Sequence, residues 1–162
     1  MDRKPLVHAA WLGSRAAVAA VLSVTAAHLL NLQYPLYALI AAVIVTDRLP
    51  SKTRALGLRR FVGTVLGAAF GAALSQLLGG SPWVIGLAIV VVIPLCTLLK
   101  IDDAAVVAAY VAGIVVLEYG GSPWVYAAYR LVETSIGIAF AVVTSYVFTA
   151  VEAAVSHESR EE

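Results

Sequence analysis

The chain has 162 residues, is 61% hydrophobic and only 13% charged, and carries a formal net charge of +1; its mean hydropathy is +0.90. A soluble domain of this length cannot bury so much apolar surface, so the composition excludes a soluble enzyme or regulator and requires an integral membrane protein. The near-zero net charge gives no reason to expect nucleic acid, and a lone Cys96 excludes an intramolecular disulfide or a cysteine-rich metal site.

Six apolar segments follow in chain order: Trp11 to Leu32, Tyr34 to Thr46, Phe61 to Leu78, Trp83 to Leu99, Ala104 to Glu118 and Tyr126 to Val151. Each is expected to be a helix, because a spanning segment in hydrocarbon must satisfy its own amides and these runs lack the alternation of a membrane barrel. The first follows MDRKPLVHAAWLG without a cleavage site and reads as a retained span, not a signal peptide. The second, after NLQYP, and the fifth, after KIDD, are the shortest; at roughly 13 and 15 residues they reach about 20 to 23 Å of a ~30 Å core. AAVIVTD (Ala41 to Asp47) resembles AGIVVLE (Ala112 to Glu118), each ending in a carboxylate. Short segments at matching places point to a central site.

The third segment follows the basic stretch DRLPSKTRALGLRR and carries Gly63, Gly67 and Gly71, a small-residue stripe that lets helices approach closely. The sixth echoes it with Gly137, Ala141 and Ser145, and the fifth with Ala105, Ala109 and Gly113. The fourth contains Pro94, which removes a helical hydrogen bond. Asp102 and Asp103 are expected to cap the fifth helix, and Asp47 to end the second. Two GGSPW sequences, Gly79 to Trp83 and Gly120 to Trp124, read as turns that set a tryptophan at the outer interface. The terminal SHESREE is polar and expected to fray.

Arg60 to Phe70 (RFVGTVLGAAF) matches Arg130 to Phe140 (RLVETSIGIAF) at six of eleven positions, 70 residues apart. The chain therefore reads as one transmembrane domain, residues 1–162, made of repeat one (about 8–78), repeat two (about 81–151) and a polar tail (152–162). Nine of the eleven basic residues, Arg3, Lys4, Arg48, Lys52, Arg54, Arg59, Arg60, Lys100 and Arg160, fall on one side of six spans. That side, with both termini, is expected to be cytoplasmic. A three-helix copy is odd in number, so the second must cross in the opposite sense and the repeat is inverted, a construction common among secondary transporters. The expected fold class is an all-α integral membrane protein of six transmembrane helices in two inverted three-helix repeats. Arg60 would then start helix 3 at the inner surface and Arg130 helix 6 at the outer, one arginine to each face.

These residues also carry a family resemblance. SRAAVAAVLSV, YPLYALIAAVIVTDRLPSKTRALGLRRFVGTVLGAAFGAAL and YRLVETSIGIAFAVV resemble the membrane domain of the fusaric acid resistance and aromatic acid exporter superfamily. Arg15, then Arg60, Gly63, Thr64 and Gly67, then Arg130, Thr134 and Gly137 stand where that family has an early arginine, an R-x-x-G-T-x-x-G segment and an R-x-x-x-T-x-x-G segment. The resemblance implies a multi-pass protein of the cell membrane that exports small organic anions, aromatic carboxylates above all, with protons as a driving force. Plant anion channels of similar membrane fold keep a passive channel as the alternative, and a non-transporting packing subunit is the third reading.

A carboxylate in hydrocarbon needs a fixed positive partner, and the planar guanidinium fork supplies one at any relevant pH. Arg130, Arg60 and Arg15 are the candidate substrate-binding residues, each weighed against snorkelling to headgroups or, for Arg130, pairing with Glu133 at i,i+3. Tyr37 and Tyr110, deep in the short helices, are candidates to stack on an aromatic substrate. Glu118 and Glu133 are candidate proton carriers, against a role as solvated helix-end charges. His28 reads as a packed polar residue. No clustered histidine, metal-ligand spacing or phosphate loop is present, so no enzyme activity, metal or cofactor is expected. Six short helices do not easily enclose a pathway, so a homo-oligomer, a dimer by default, is expected.

Overall fold

The computed structural model describes residues 3–118 and 121–161, with side chains from 6 to 118 and from 121 to 154. Gly120, in the second GGSPW, and the side chains of Arg3, Lys4 and Arg160 lie outside the described residues, as does the side-chain chemistry of the terminal SHESREE. Among the described residues all regular structure is helical: α1 (Arg3–Leu29), α2 (Pro35–Val45), α3 (Pro50–Leu78), α4 (Pro82–Leu98), α5 (Asp102–Glu118) and α6 (Pro123–Glu161).

Proline opens four of these helices, α2, α3, α4 and α6, because it lacks the amide that a first turn leaves unused and arrives with a helical φ. Their ends are equally local. After α1, Asn31 takes φ 52° and Leu32 N–H donates to Ala27 O; after α4, Lys100 takes φ 59° and Ile101 N–H donates to Cys96 O. Both are Schellman endings. α3 stops at Gly79, whose φ of 79° suits glycine and whose N–H donates to Ser75 O.

α1, α3 and α6 contain stretches long and apolar enough to cross a membrane, Leu6–Leu29, Pro50–Leu78 and Pro123–Ala154; α2 and α4 are shorter apolar helices. Burial runs inside out relative to a soluble domain. Leu77, Val90, Val106 and Leu117 are exposed, whereas Arg15, Thr53, Arg60, Ser75, Arg130, Glu133 and Ser145 are buried. Lipid solvates the first group, and polar groups face the protein interior.

Four expectations need correction. α3 begins at Pro50, not Phe61, because the basic stretch is rich in helix formers and wound into the same helix. α5 has 17 residues, as many as α4, so only α2, with 11, is distinctly short. Asp102 and Asp103, expected as caps, are the first two residues of α5 and act within its first turn. α6 remains helical to Glu161, past the point where fraying was expected, since Glu152, Ala153, Ala154 and the residues after them continue a sequence without a breaker.

The chain divides into two compact units. Unit 1 comprises Met1–Gly57 and Ser135–Glu162, and unit 2 comprises Leu58–Thr134. In unit 1, α1 packs on α2, and Ala19, Ala42, Val45 and Ala141 form the core with Leu56 and Ile138 against it. In unit 2, α4 packs on α5, with one core around Val92, Cys96 and Ala108 and another around Val84, Ala88, Ala112 and Val116.

The same interlock is built in each unit. In unit 2 a Cβ on Gly67 would fall on the Ala108 carbonyl oxygen; in unit 1 a Cβ on Gly137 would fall on that of Ala38. One turn on, Gly71 faces Ala112 and Val115, while Ala141 shares a core with Ala42 and Val45. Every member of one set stands 70 residues from its counterpart. Each unit thus joins the first two helices of one sequence copy to the third helix of the other: α2 is met by α6, and α5 by α3.

Candidate functional site

Unit 2 gathers the charged residues that hydrocarbon least tolerates. Arg60 is ten positions into α3, counted from Pro50, and Arg130 is seven into α6, counted from Pro123. Both are buried, at 4% and 1% exposure, and they are within electrostatic reach of each other. Neither arginine starts its helix, contrary to the expectation that Arg60 opens helix 3 and Arg130 helix 6. The extra turns from Pro50 set Arg60 well inside α3.

The Arg60 guanidinium carbon lies 5.9 Å from the centre of the Tyr110 ring, which α5 presents from its middle. Arg60 Nε is buried without a hydrogen-bond partner, and the buried Tyr110 hydroxyl interacts with the Arg60 guanidinium. Thr64, one turn after Arg60, donates to the Arg60 carbonyl at 2.8 Å, so its hydroxyl is satisfied by its own helix. Glu133 is fully buried and stands at i+3 from Arg130, which sets both on one side of α6. Thr134, the counterpart of Thr64, is buried beside it. Gly63 backs on Ala104 and Val107, and Gly67 and Gly71 on α5 further along, so the glycines bring the α3 backbone against α5 and hold Arg60 beside Tyr110.

Glu118, the other candidate proton carrier, is exposed at the end of α5. Arg59 and Asp103 form an ion pair at 2.9 Å with both side chains more than half exposed. Among the described residues no three His, Cys, Asp or Glu side chains converge as metal ligands.

Arg15 and Tyr37 belong to unit 1. Arg15 is 1% exposed. Its Nη1 donates to the Arg48 carbonyl at 2.6 Å, its Nη2 bonds Glu152 Oε2 at 2.7 Å and Thr149 Oγ1 at 3.4 Å, and its guanidinium lies over Phe148. The middle of α1, the C-terminal part of α6 and the loop before α3 are tied through this one side chain. Nearby in the same unit, Thr53 Oγ1 accepts from Asp47 N–H at 2.9 Å and donates to Ser145 Oγ at 3.4 Å. Asp47, expected only to end helix 2, also accepts from Leu49 N–H and so shapes the entry into α3. Tyr37 is half-buried with its ring 6.1 Å from that of Tyr34. His28 is exposed.

Sequence reasoning passed over Ser75 and the Thr53–Ser145 link. The 70-residue offset that pairs Arg60 with Arg130 also pairs Ser75 with Ser145, and extending the repeat five positions past Phe70 would have found them.

The family described as aromatic acid exporter family member 1 matches residues 13–148. No curated protein and no solved structure matches the chain.

Proposed function

The chain belongs to the aromatic acid exporter family, a family of membrane transporters, and is a multi-pass membrane protein; on that premise we propose that it exports small aromatic carboxylates, binding them between Arg60 and Arg130. The observation that carries this reading is that unit 2 buries two arginines, one from each copy of the motif, close enough to interact electrostatically. Arginines are rare in spanning helices and mark substrate pathways there. Two of them interacting also repel. A bound carboxylate offsets that repulsion, and its two oxygens suit a guanidinium fork from either side.

The proposal takes the six helices as two inverted repeats with both termini cytoplasmic. Under an inverted repeat, equivalent positions draw near one another only beside the repeat axis, which runs in the membrane plane; substrate sites of such transporters lie there. The proximity of Arg60 and Arg130, 70 residues apart in sequence, supports that arrangement. Tyr110 supplies a ring beside the carboxylate site. Of the two candidate proton carriers, Glu133 suits the role better, because it is buried on the Arg130 side of α6 whereas Glu118 faces outward. Arg15 acts apart from substrate, fastening its own unit.

The test is flux of labelled benzoate in vesicles containing the purified protein, under an imposed proton gradient or voltage, beside Arg130→Gln. Loss of a charge-assisted hydrogen bond in a buried site is expected to lower flux by roughly 10- to 100-fold. Voltage-driven flux indifferent to protons would convert the reading to a passive anion channel. No flux under either gradient, in folded and inserted protein, would overturn both.

A further inference from the structure

Opposite in kind to the packed glycine interlock, a cavity of about 390 Å³ opens in unit 2 at the start of α6. That volume lies within the range of small-molecule sites, roughly 300 to 1,000 Å³. Its walls are Ser75 and Gln76 of α3 and Ser122, Pro123, Trp124 and Val125 at the first turn of α6.

Three features of this cavity point to one chemistry. The first is the helix terminus. Tyr126 N–H donates back to Ser122 O, and Pro123 has no amide, so the amides of Trp124 and Val125 are the ones a first turn leaves without a helical carbonyl. With the dipole of a 39-residue helix behind them, they favour an anion.

The second is Ser75. Its side chain is 2% exposed and its Oγ has no hydrogen-bond partner, although it lines the cavity. Its counterpart Ser145 accepts a hydrogen bond from Thr53 in unit 1. The same repeat position is thus satisfied in one unit and buried without a partner beside a cavity in the other. A buried hydroxyl without a partner costs free energy that a carboxylate oxygen would recover.

The third is Trp124. Its Nε1–H donates to Gln76 Oε1, which fixes the indole at the cavity wall. Trp83, the tryptophan of the first GGSPW, also stands in the first turn of its helix, α4, and is 60% exposed against 50% for Trp124. What sets the second copy of the turn apart is the hydrogen bond from its indole to Gln76 and the cavity it shares with Ser75.

We infer that this cavity is a second subsite for an aromatic carboxylate, in which the carboxylate meets the Trp124 and Val125 amides and the Ser75 hydroxyl while the ring lies against the Trp124 indole. The inference rests on the exporter reading for its place in transport: Val125 is five positions before Arg130 on the same helix, about 8 Å along the axis. A substrate leaving the arginines therefore has a receiving site one and a half turns away. Gln76 is a positioning residue, acting through the indole.

Trp124 itself reports occupancy. In full-length Trp11→Phe/Trp83→Phe protein in nanodiscs, Trp124 is the remaining tryptophan, and benzoate is expected to change its emission saturably. Cyclohexanecarboxylate, with the charge but no aromatic ring, and benzyl alcohol, with the ring but no charge, are each expected to bind more weakly than benzoate. Ser75→Ala is expected to weaken benzoate by about tenfold or more, with unchanged thermal unfolding showing that the fold is intact. No saturable change with benzoate, or equal affinity in Ser75→Ala, overturns the subsite. Vesicle flux of benzoate separates this result from the larger reading. Flux without a Trp124 signal leaves the exporter standing and removes the subsite, whereas a Ser75-dependent Trp124 signal without flux upholds the subsite and removes the exporter.

Discussion

Units 1 and 2 share a packing scheme and differ in what they do with buried polar groups. In unit 1 both terminal nitrogens of Arg15 reach a carbonyl, a carboxylate or a hydroxyl, with only its Nε left over, and Thr53 joins an amide to Ser145. In unit 2 Arg60 Nε and Ser75 Oγ are buried with no such partner. A network that meets most of its own donors fastens helices together. One that leaves donors unmet on the same scaffold is suited to receive a ligand, because the missing partners can arrive from outside.

The sharpest break of this comparison is in the Arg15 network. Glu152→Gln leaves a buried guanidinium without its counter-charge and is expected to cost roughly 3 kcal/mol, the low end for a broken buried pair because Glu152 itself is half exposed. Arg15→Met is expected to cost less, since the stranded Glu152 can turn to water. Thermal unfolding in detergent reads both. Benzoate affinity at unit 2 should be unaffected by either; a loss of binding comparable with that of Arg130→Gln would end the division between fastener and receptor.

The interlocking glycines provide a test of equivalence. Gly67→Ala and Gly137→Ala each press a methyl group onto a backbone carbonyl, Ala108 in one unit and Ala38 in the other, with no side chain able to move aside. Each is expected to destabilise by about 1 to 3 kcal/mol. If one were neutral and the other severe, the two units would not be built on one scheme.

Much of this was written in the sequence, and the exceptions have physical causes. Apolar runs, proline starts and the 70-residue repeat set the helices and their equivalences, because these are local or periodic signals. The start of α3 was hidden because its basic first turns resemble a loop by hydropathy while remaining compatible with helix. That one error set Arg60 at the start of α3, whereas it lies ten positions into it. The juxtaposition of Arg60, Arg130 and Tyr110 was illegible for another reason: it depends on α3 packing against α5 of the other sequence copy, and no local pattern specifies which third helix a helical hairpin accepts. Ser75 was legible only through Ser145, and the difference in their partners is purely tertiary.

Tyr110 tests the receptor side at intermediate cost. Tyr110→Leu removes the ring beside Arg60 and is expected to weaken benzoate binding by about 1 to 2 kcal/mol, whereas Tyr110→Phe keeps the aromatic face and should stay within a few-fold of the native protein. Titration of each variant by equilibrium binding in nanodiscs decides it. A Phe variant as poor as the Leu variant would shift the role from the ring to the hydroxyl, which is buried beside Arg60.

The smallest effect should come from the Arg59–Asp103 pair, and its smallness follows from the same reasoning as the large ones. At 2.9 Å its geometry is as good as that of Arg15 with Glu152, yet both of its side chains are more than half exposed, whereas Arg15 is almost fully enclosed. Water and salt already solvate both charges, so forming the pair replaces little. A double-mutant cycle of Arg59→Gln and Asp103→Asn is expected to give a coupling of about 0.2 to 1 kcal/mol that fades with added salt. A coupling as large as the cost of Glu152→Gln would mean that distance, not enclosure, sets the strength of these pairs. The contrast between the two units would then lose its physical basis, since it is enclosure that makes the unmet donors around Arg60 and Ser75 costly enough to call for a ligand.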